Sequence, residues 1–563
     1  HGVTFIIFFN KCNSMQNIYG INFYLNLKKI QSMKLNRDKE GILKYIVLSR
    51  CSDLKGSLPF VFKRWPEYTE LLFPEGLLGE KEFLFKLIHA IPEKLWYDVE
   101  IIGWLYEYYI SQEQNRIISS KKKYTKKEIP YATQLFTPGW IVEYMVQNSL
   151  GRYWIEAHPE HEELKKNWEF YIENEDRYGE LTPYVDRNLK VRDIKCMDPA
   201  CGSGHILVYM FRLLYQVYRK CGYDENKIPE MIIQNNLYGM DIHYGACQLA
   251  CFSVVMEGMK FDKYLLEKIK KKTIKFNIIS IMETNDFNDE DMEYISGDNY
   301  SILKDLMDQF KDAKIYGSLI KLREFKEDDL LNELEYIKNM RENNPVKEKR
   351  RKEIIEKLSK LIKQAGIMGC TYDILVTNPP YISNKYLPEL LAKYIGENYP
   401  EGKSDIFSAF MEYGFSRVKY NGQLAFMTPF VWMFIQSYQK LRERILHYNS
   451  ITSLIQLEYS GFEEATVPIC TFTLRNYKVN IKGNYIKLSD FRGVYTQPIK
   501  VREAVDNPHV NYRFILNQDK MGSIPGSRFA YWLTRGEIEI LRRASIMGDA
   551  SFPCSKTISK SAA

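Results

Sequence analysis

Long apolar runs are missing from this sequence. The longest early one, Val3 to Phe9, falls far short of the roughly 20 residues that span a bilayer. No later stretch reaches that length, and no n-region, h-region and cleavage site follow one another near the start. Neither a transmembrane helix nor a secretory signal is expected, and the cytoplasm is the expected compartment. Metal-ligand spacings are missing too. The ten Cys include no C-x-x-C, and the eight His no H-x-x-x-H. No metal and no disulfide framework are expected, and the thiols read as buried in a reducing compartment. Internal repeats and low-complexity tracts are absent. The excess of one charge is small: 78 Lys and Arg against 71 Asp and Glu leave +7. That bias permits nucleic-acid binding without requiring it.

What is present is globular material in quantity. The chain has 563 residues, 45% apolar and 26% charged, enough for roughly two to four domains with ample core. Its 41 Tyr offer stacking surfaces, although most aromatics in any chain are core.

The pattern divides into four parts. Residues 1–40 are unpatterned. Residues 41–130 are expected to be mostly helical, with Phe83 to Ile88 and Val99 to Ile110 carrying apolar residues at three- and four-residue steps. Residues 131–480 are expected to form one α/β domain, and 481–563 the start of a further region. The unpatterned ends, 1–40 and Ser551–Ala563, suggest a piece of a longer chain. Between helix and α/β domain runs Lys121-Lys122-Lys123-Tyr124-Thr125-Lys126-Lys127. It reads either as a solvated linker or as a strip that contacts phosphates.

In the α/β part, strands are expected at Val191–Met197, Leu237–Ile242, Ile278–Met282 and Tyr372–Thr377, then at Gln423–Met427, Ile451–Leu457 and Ile469–Leu474. Helices between the early strands imply a parallel, doubly wound sheet. Residues 319–365 are dense in Lys and Glu with Leu and Ile at helical spacing. They predict a charged helical insertion, a hairpin broken near Asn344-Pro345.

Two turns carry the chemistry. Asp198-Pro199-Ala200-Cys201-Gly202-Ser203-Gly204 stands between a strand and a helix. Its glycines permit a tight turn and close approach to a ligand at the helix N-terminus. Leu207 occupies the position of the third glycine of a dinucleotide fingerprint, which speaks against a nicotinamide site. Asp198 suits a ligand bearing an ammonium group better than a pyrophosphate, and S-adenosylmethionine is such a ligand. Asp241, followed by Ile242 at the tip of the second strand, can accept both hydroxyls of a ribose; capping the next helix is the plainer alternative. After the third strand, Asp286 is placed to accept from an adenine amino group and Phe287 to pack on its ring, with an ordinary Asx turn as the alternative.

The second turn, Asn378-Pro379-Pro380-Tyr381, ends the fourth strand. Two prolines make it rigid and remove two backbone donors. The Asn378 amide oxygen and the Pro379 carbonyl remain as acceptors able to orient an amino nitrogen, and Tyr381 offers a face for stacking. A P-loop-like run, Gly396 to Ser404, is dismissed because five residues, not four, separate Gly396 from Gly402-Lys403-Ser404.

These residues resemble the amino-methyltransferase superfamily. Asp198 to Gly204 resembles its cofactor motif I, Asn378 to Tyr381 its catalytic motif IV, and Phe136-Thr137-Pro138-Gly139-Trp140-Ile141-Val142 its motif X in the gamma order of adenine-N6 DNA methyltransferases. By that resemblance Thr137 and Pro138 touch the methionine part of the cofactor, and Pro199, Ala200, Cys201, Gly202 and Gly204 belong to its binding turn. Lys403-Ser404-Asp405-Ile406-Phe407 resembles motif V, and Phe462 stands where motif VIII has a second stacking aromatic.

Three further segments resemble the PglX-type adenine-specific methyltransferases of BREX phage-defence systems. They are Val99 to Tyr109, Ala132 to Pro138, and Asn148 to Arg152; Ile524 to Ser527 with Ala530-Tyr531-Trp532 fits the same family. The resemblance covers roughly 40–540 and implies a Rossmann-like class I methyltransferase sheet, with a target-recognition region expected beyond it. It implies methyl transfer from S-adenosylmethionine to the N6 amino group of a flipped adenine in double-stranded DNA, with other defence proteins as partners. The Asn-Pro-Pro-Tyr turn also serves enzymes acting on cytosine N4, RNA bases and glutamine amides. A non-catalytic DNA- or partner-binding component of a defence complex is the other alternative.

Overall fold

A computed structural model describes residues 39–58, 83–132 (except 93, 94 and 97), 137–175, 178–287, 297–340, 343–459 and 468–546, with Asp291 and Tyr294. The principal elements are helices α1 (Lys39–Leu54), α2 (Phe83–Ala90), α3 (Glu100–Ser119) and α4 (Gly139–Val146), then strand β1 (Cys196–Asp198). Next come α5 (His205–Lys220), β2 (Leu237–Asp241), α6 (Tyr244–Met259), α7 (Leu265–Lys270) and β3 (Asn277–Ser280). Then follow α8 (Glu327–Asn339), α9 (Pro345–Gly369), β4 (Tyr372–Thr377), α10 (Ile406–Arg417), β5 (Val418–Pro429) and α11 (Gln439–Tyr448). The last are β6 (Ser450–Gln456), β7 (Ile469–Arg475), β8 (Lys482–Lys487), α12 (Thr496–Asp506) and β9 (Arg513–Asn517).

The strands form one sheet in the order β3-β2-β1-β4-β5-β7-β6-β8-β9. The five strands from β3 to β5 are parallel, and β7 lies antiparallel to both its neighbours. This is the doubly wound sheet that the sequence predicts. The strand order reverses between β1 and β4, so a crevice opens outside their carboxyl ends, the usual ligand position in such sheets.

Period-two alternation buries both faces of the central strands. Ile374, Val376, Ala425 and Met427 face α4, α5 and α6, while Leu375, Leu424 and Phe426 face α10. The insertion is not merely solvated. Leu330, Leu334 and Ile337 of α8 and Ile354, Leu358 and Leu361 of α9 pack on Met197 and Met240 of the sheet. Its break lies where expected: Asn344 caps α9, its side chain accepting from Val346 and Lys347 N–H at 2.9 and 3.4 Å, and Pro345 takes the first turn.

Two expectations are corrected. The first strand is shorter than Val191–Met197, because Val191–Asp193 forms a 3₁₀ turn. Asn236 holds that turn by donating to the Val191 and Ile194 carbonyls at 2.7 and 2.8 Å. The sheet also runs past residue 480: β8 pairs with β6, and β9 with β8. Among the described residues no helix is long and apolar enough to cross a membrane, and no group of His, Cys, Asp and Glu could hold a metal ion.

Candidate active site

The glycine turn leaves β1 at Asp198 and enters α5 at His205. Gly204 has φ +89°, and a Cβ there would lie 2.7 Å from the Ala250 Cα of α6, so only glycine fits. Leu207, in the place of a third glycine, finds its room elsewhere: a Cβ on Gly239 of β2 would meet its Cδ1 at 2.9 Å. Close helix–sheet packing is thus achieved by a glycine in the strand rather than in the helix.

Asp198 is 1% exposed and lies beneath the turn. Its Oδ1 accepts from the Thr377 hydroxyl at 2.8 Å and the Ala200 N–H at 3.1 Å, tying the tips of β1 and β4 together. Burial pushes its carboxyl up to about 7, with the charge of Asp241 adding to that and the two hydrogen bonds opposing it. Asp241 accepts from the Gly202 N–H at 3.0 Å and the His243 N–H at 2.7 Å. Burial pushes it up to about 6 against those bonds. Asp241 does not cap α6; His243 does, its Nδ1 accepting from the Ala246 N–H at 3.2 Å. The Tyr106 hydroxyl of α3 lies 2.7 Å from the same nitrogen, which links the N-terminal helices to this rim. Histidine is not a usual cap, so no sequence signal marked it.

At the end of β4, the Asn378 Nδ2 donates to the Thr137 hydroxyl oxygen at 3.0 Å, and the Tyr381 hydroxyl donates to the Asn378 Oδ1 at 2.6 Å. The amide is therefore held with its oxygen toward Tyr381. Thr137 is 5% exposed. The residues from 382 to 384 pair with 404–406 of the motif V segment, through Ile406 N–H to Ile382 O at 3.1 Å and Asn384 N–H to Ser404 O at 3.3 Å.

A cleft runs between the two turns. Pro199, Ala200, Gly202, Asp241 and Ile242 form one wall, and Asn378 and Pro380 form another. Gly103 and Tyr106 of α3, with Ile129 and Pro130, close it from the N-terminal side. Among the described residues lining it, Asp241 alone is charged, and none is Lys, Arg or His. At Gly202, with φ +51°, a Cβ would meet nothing within 4 Å. Bare backbone, a carboxylate and an apolar end without cations fit S-adenosylmethionine, a diol-bearing cation with a flat ring, and do not fit a diphosphate.

Not every expected residue reaches the cleft. Asp198, Cys201, Gly204, Thr137, Pro138 and Pro379 support its walls rather than line them, and Tyr381 stands beside Asn378. Asp286 and Phe287 are not among the described residues that line the cleft. Asp286 is ion-paired with Lys357 of α9 at 2.5 Å, and the Lys357 Nζ lies 5.0 Å above the Phe287 ring. The loop after β3 is drawn away because Thr284 donates to Met307 O at 2.6 Å and Asn285 exchanges two 2.8 Å hydrogen bonds with Asp312. The flat end of the cleft is built instead by Ile242 with Ile315, Tyr316 and Gly317. Ser318 pins that segment by donating to the Pro199 carbonyl. No motif marks residues 313–319, and sequence reasoning missed them. Phe136 and Phe462 lie outside the described residues.

Residues 235–462 match the family described as Eco57I restriction-modification methylase. The chain is 31% identical over 558 residues to the adenine-specific methyltransferase BrxX of Escherichia coli O9:H4 (strain HS), covering 92% of this chain and 45% of that protein. It is 33% identical over 525 residues to the adenine-specific methyltransferase PglX of Lacticaseibacillus casei (strain Zhang), covering 89% and 43%. The chain spans less than half the length of these relatives. Among solved structures, a nuclease-deletion mutant of the Type ISP restriction-modification enzyme LlaGI in complex with a DNA substrate mimic aligns with a TM-score of 0.42 and 12% identity, over 93% of this chain and 43% of that one. The likeness to PglX-type adenine-specific methyltransferases carried by the sequence motifs is borne out by the two curated relatives.

Proposed function

We propose that this chain, similar over most of its length to the PglX-type adenine-specific methyltransferases, transfers a methyl group from S-adenosylmethionine to the N6 amino group of adenine in DNA. Its biological role on this reading is the modification component of a phage-defence system. One observation carries the chemistry: the glycine turn with Asp241 and the Asn378-Pro379-Pro380 turn open into a single cleft at the reversal point of the sheet.

Bound S-adenosylmethionine supplies an electrophilic methyl group on a sulfonium. Asp241 accepts the ribose hydroxyls, since each carboxylate oxygen keeps lone pairs beyond the N–H bond it already accepts. Ile242, Ile315 and Tyr316 enclose the adenine ring of the cofactor. The target base is flipped out of the duplex, because its nitrogen cannot reach the cleft while stacked. The Tyr381 hydroxyl swings off the Asn378 Oδ1, and its ring stacks on the base. Asn378 Oδ1 and the Pro379 carbonyl then take the two amino hydrogens and aim the nitrogen lone pair at the methyl carbon. Transfer would form the C–N bond as the sulfonium's S–C bond breaks, the electron pair staying on sulfur, and the proton released from the nitrogen would pass to water. Alignment is the main contribution asked of the protein. No thiolate takes part: the hydrogen bond with Cys247, and after it burial, hold the Cys201 thiol well above its usual range.

Isothermal titration of S-adenosylmethionine into the chain tests the cofactor half of this reading. Binding that weakens at least tenfold in Asp241→Ala is expected. Equal binding by the variant refutes the assignment of Asp241.

A further inference from the structure

The lysine run at 121–127 is docked on the catalytic turn. The Tyr124 N–H donates to the Tyr386 carbonyl at 2.9 Å, and the two rings stack with centroids 6.0 Å apart. Tyr386 lies on the turn that follows the Asn378–Tyr381 tetrapeptide. Immediately past the run, Ile129 and Pro130 line the cleft. Lys126 anchors the run on the cofactor side, its ammonium 2.6 Å from Glu283 and 3.4 Å from Asp312. Glu128, the nearest acid in sequence, is occupied by the Thr125 N–H and hydroxyl, both at 2.8 Å. The run is therefore held in place rather than a loose linker.

Lys121, Lys122, Lys123 and Lys127 remain exposed and form no ion pair among the described residues. Two more exposed lysines border them. Lys385 lies 4.6 Å above the Tyr386 ring, and the Lys403 carbonyl accepts from the Asn384 side chain at 2.8 Å. Among the described residues that line it, the cleft carries no cation. Positive charge is thus excluded from the cofactor cavity and gathered on its rim, where the strand flanking a flipped base must pass.

We propose that Lys121, Lys122, Lys123 and Lys127, with Lys385 and Lys403, form a contact surface for the phosphate backbone of duplex DNA beside the catalytic turn. This rests on the reading of the site as a DNA methyltransferase. It adds that the segment before the cofactor-binding domain holds the duplex, independently of base sequence. Phosphate contacts of this kind position a duplex and carry no base specificity.

The discriminating experiment compares two triple substitutions of equal charge. One is Lys122→Gln, Lys123→Gln and Lys127→Gln. The other is Lys270→Gln, Lys271→Gln and Lys272→Gln, exposed lysines leading into the start of β3, at the edge of the sheet opposite the cleft. Binding of a fluorescent duplex of arbitrary sequence is measured from 50 to 200 mM salt. Three lost phosphate contacts reduce the salt slope by about 2.7, so the parent's affinity should fall about 40-fold more steeply than the first variant's over that range. The second variant should keep the parent's slope. Unchanged binding of S-adenosylmethionine by both variants establishes that they fold. Equal slopes for the two variants overturn the proposal, as does a parent chain that binds no duplex at 50 mM salt. Binding without adenine methylation would count against the catalytic reading and leave the surface standing.

Discussion

Replacing Thr137 by Val separates two roles for one side chain. The resemblance gives Thr137 to the methionine part of the cofactor, whereas its hydroxyl oxygen accepts from the Asn378 Nδ2 at 3.0 Å. Valine keeps the volume and removes the acceptor. The site is buried, Thr137 being 5% exposed, so water does not replace the lost partner. Taking this acceptor from a buried amide donor costs about 1–3 kcal/mol, and the amide loses one of the contacts that fix which way its oxygen points. If that energy is felt in aligning the target nitrogen, kcat falls about 5- to 150-fold, at 1.36 kcal/mol per factor of ten. The Michaelis constant for S-adenosylmethionine should move little. Thr137→Ser, which retains the oxygen, should restore most of the rate. Steady-state methyl transfer to duplex DNA with both substrates varied gives the required split. An unchanged kcat with a raised Michaelis constant for the cofactor would refute the positioning role and return Thr137 to the cofactor.

Three further outcomes are expected. Asp198 and Asp241, raised by burial to about 7 and about 6, ionise only near neutrality, and a cationic ligand favours their charged forms. Without ligand, their contribution to stability is full below the ordinary carboxylate range and is lost as pH rises through 6 to 7. Affinity for S-adenosylmethionine therefore rises from pH 5.5 to 8, so the thermal shift it produces should be larger at pH 8 than at about pH 6. Tyr381→Phe removes the hydroxyl from Asn378 and keeps the ring, so kcat should be maintained; Tyr381→Ala should lose about 1–3 kcal/mol of stacking, read in kcat/KM for DNA. Arg442, fully buried, donates to the carbonyls of Trp432, Ile435 and Gly526 at 2.7 to 3.0 Å. Arg442→Met should lower the stability in urea by about 3 kcal/mol, because three carbonyls lose their donor.

The parts legible in the sequence are those whose chemistry is local. The glycine turn and the Asn-Pro-Pro-Tyr turn each carry their geometry in consecutive residues, and β4 runs from Tyr372 to Thr377 as its apolar pattern predicts. Asn344-Pro345 marks the helix start because a cap and a first-turn proline act within one turn. What was not legible depends on distant partners. Asp286 faces Lys357 because residues 284 and 285 are bonded to 307 and 312. Thr137 meets Asn378 across 241 positions. The strands β8 and β9 are short and fall beyond the last motif of the catalytic part; their place is set by pairing with β6 and with each other.

Product analysis with methyl-labelled S-adenosylmethionine and an adenine-containing duplex tests the central claim most directly. After digestion to nucleosides, the label should appear as N6-methyladenine. It should vanish in Asn378→Ala while that variant still binds the cofactor. Label on cytosine, on RNA or on protein glutamine, or transfer that survives Asn378→Ala, would contradict the assignment of this cleft.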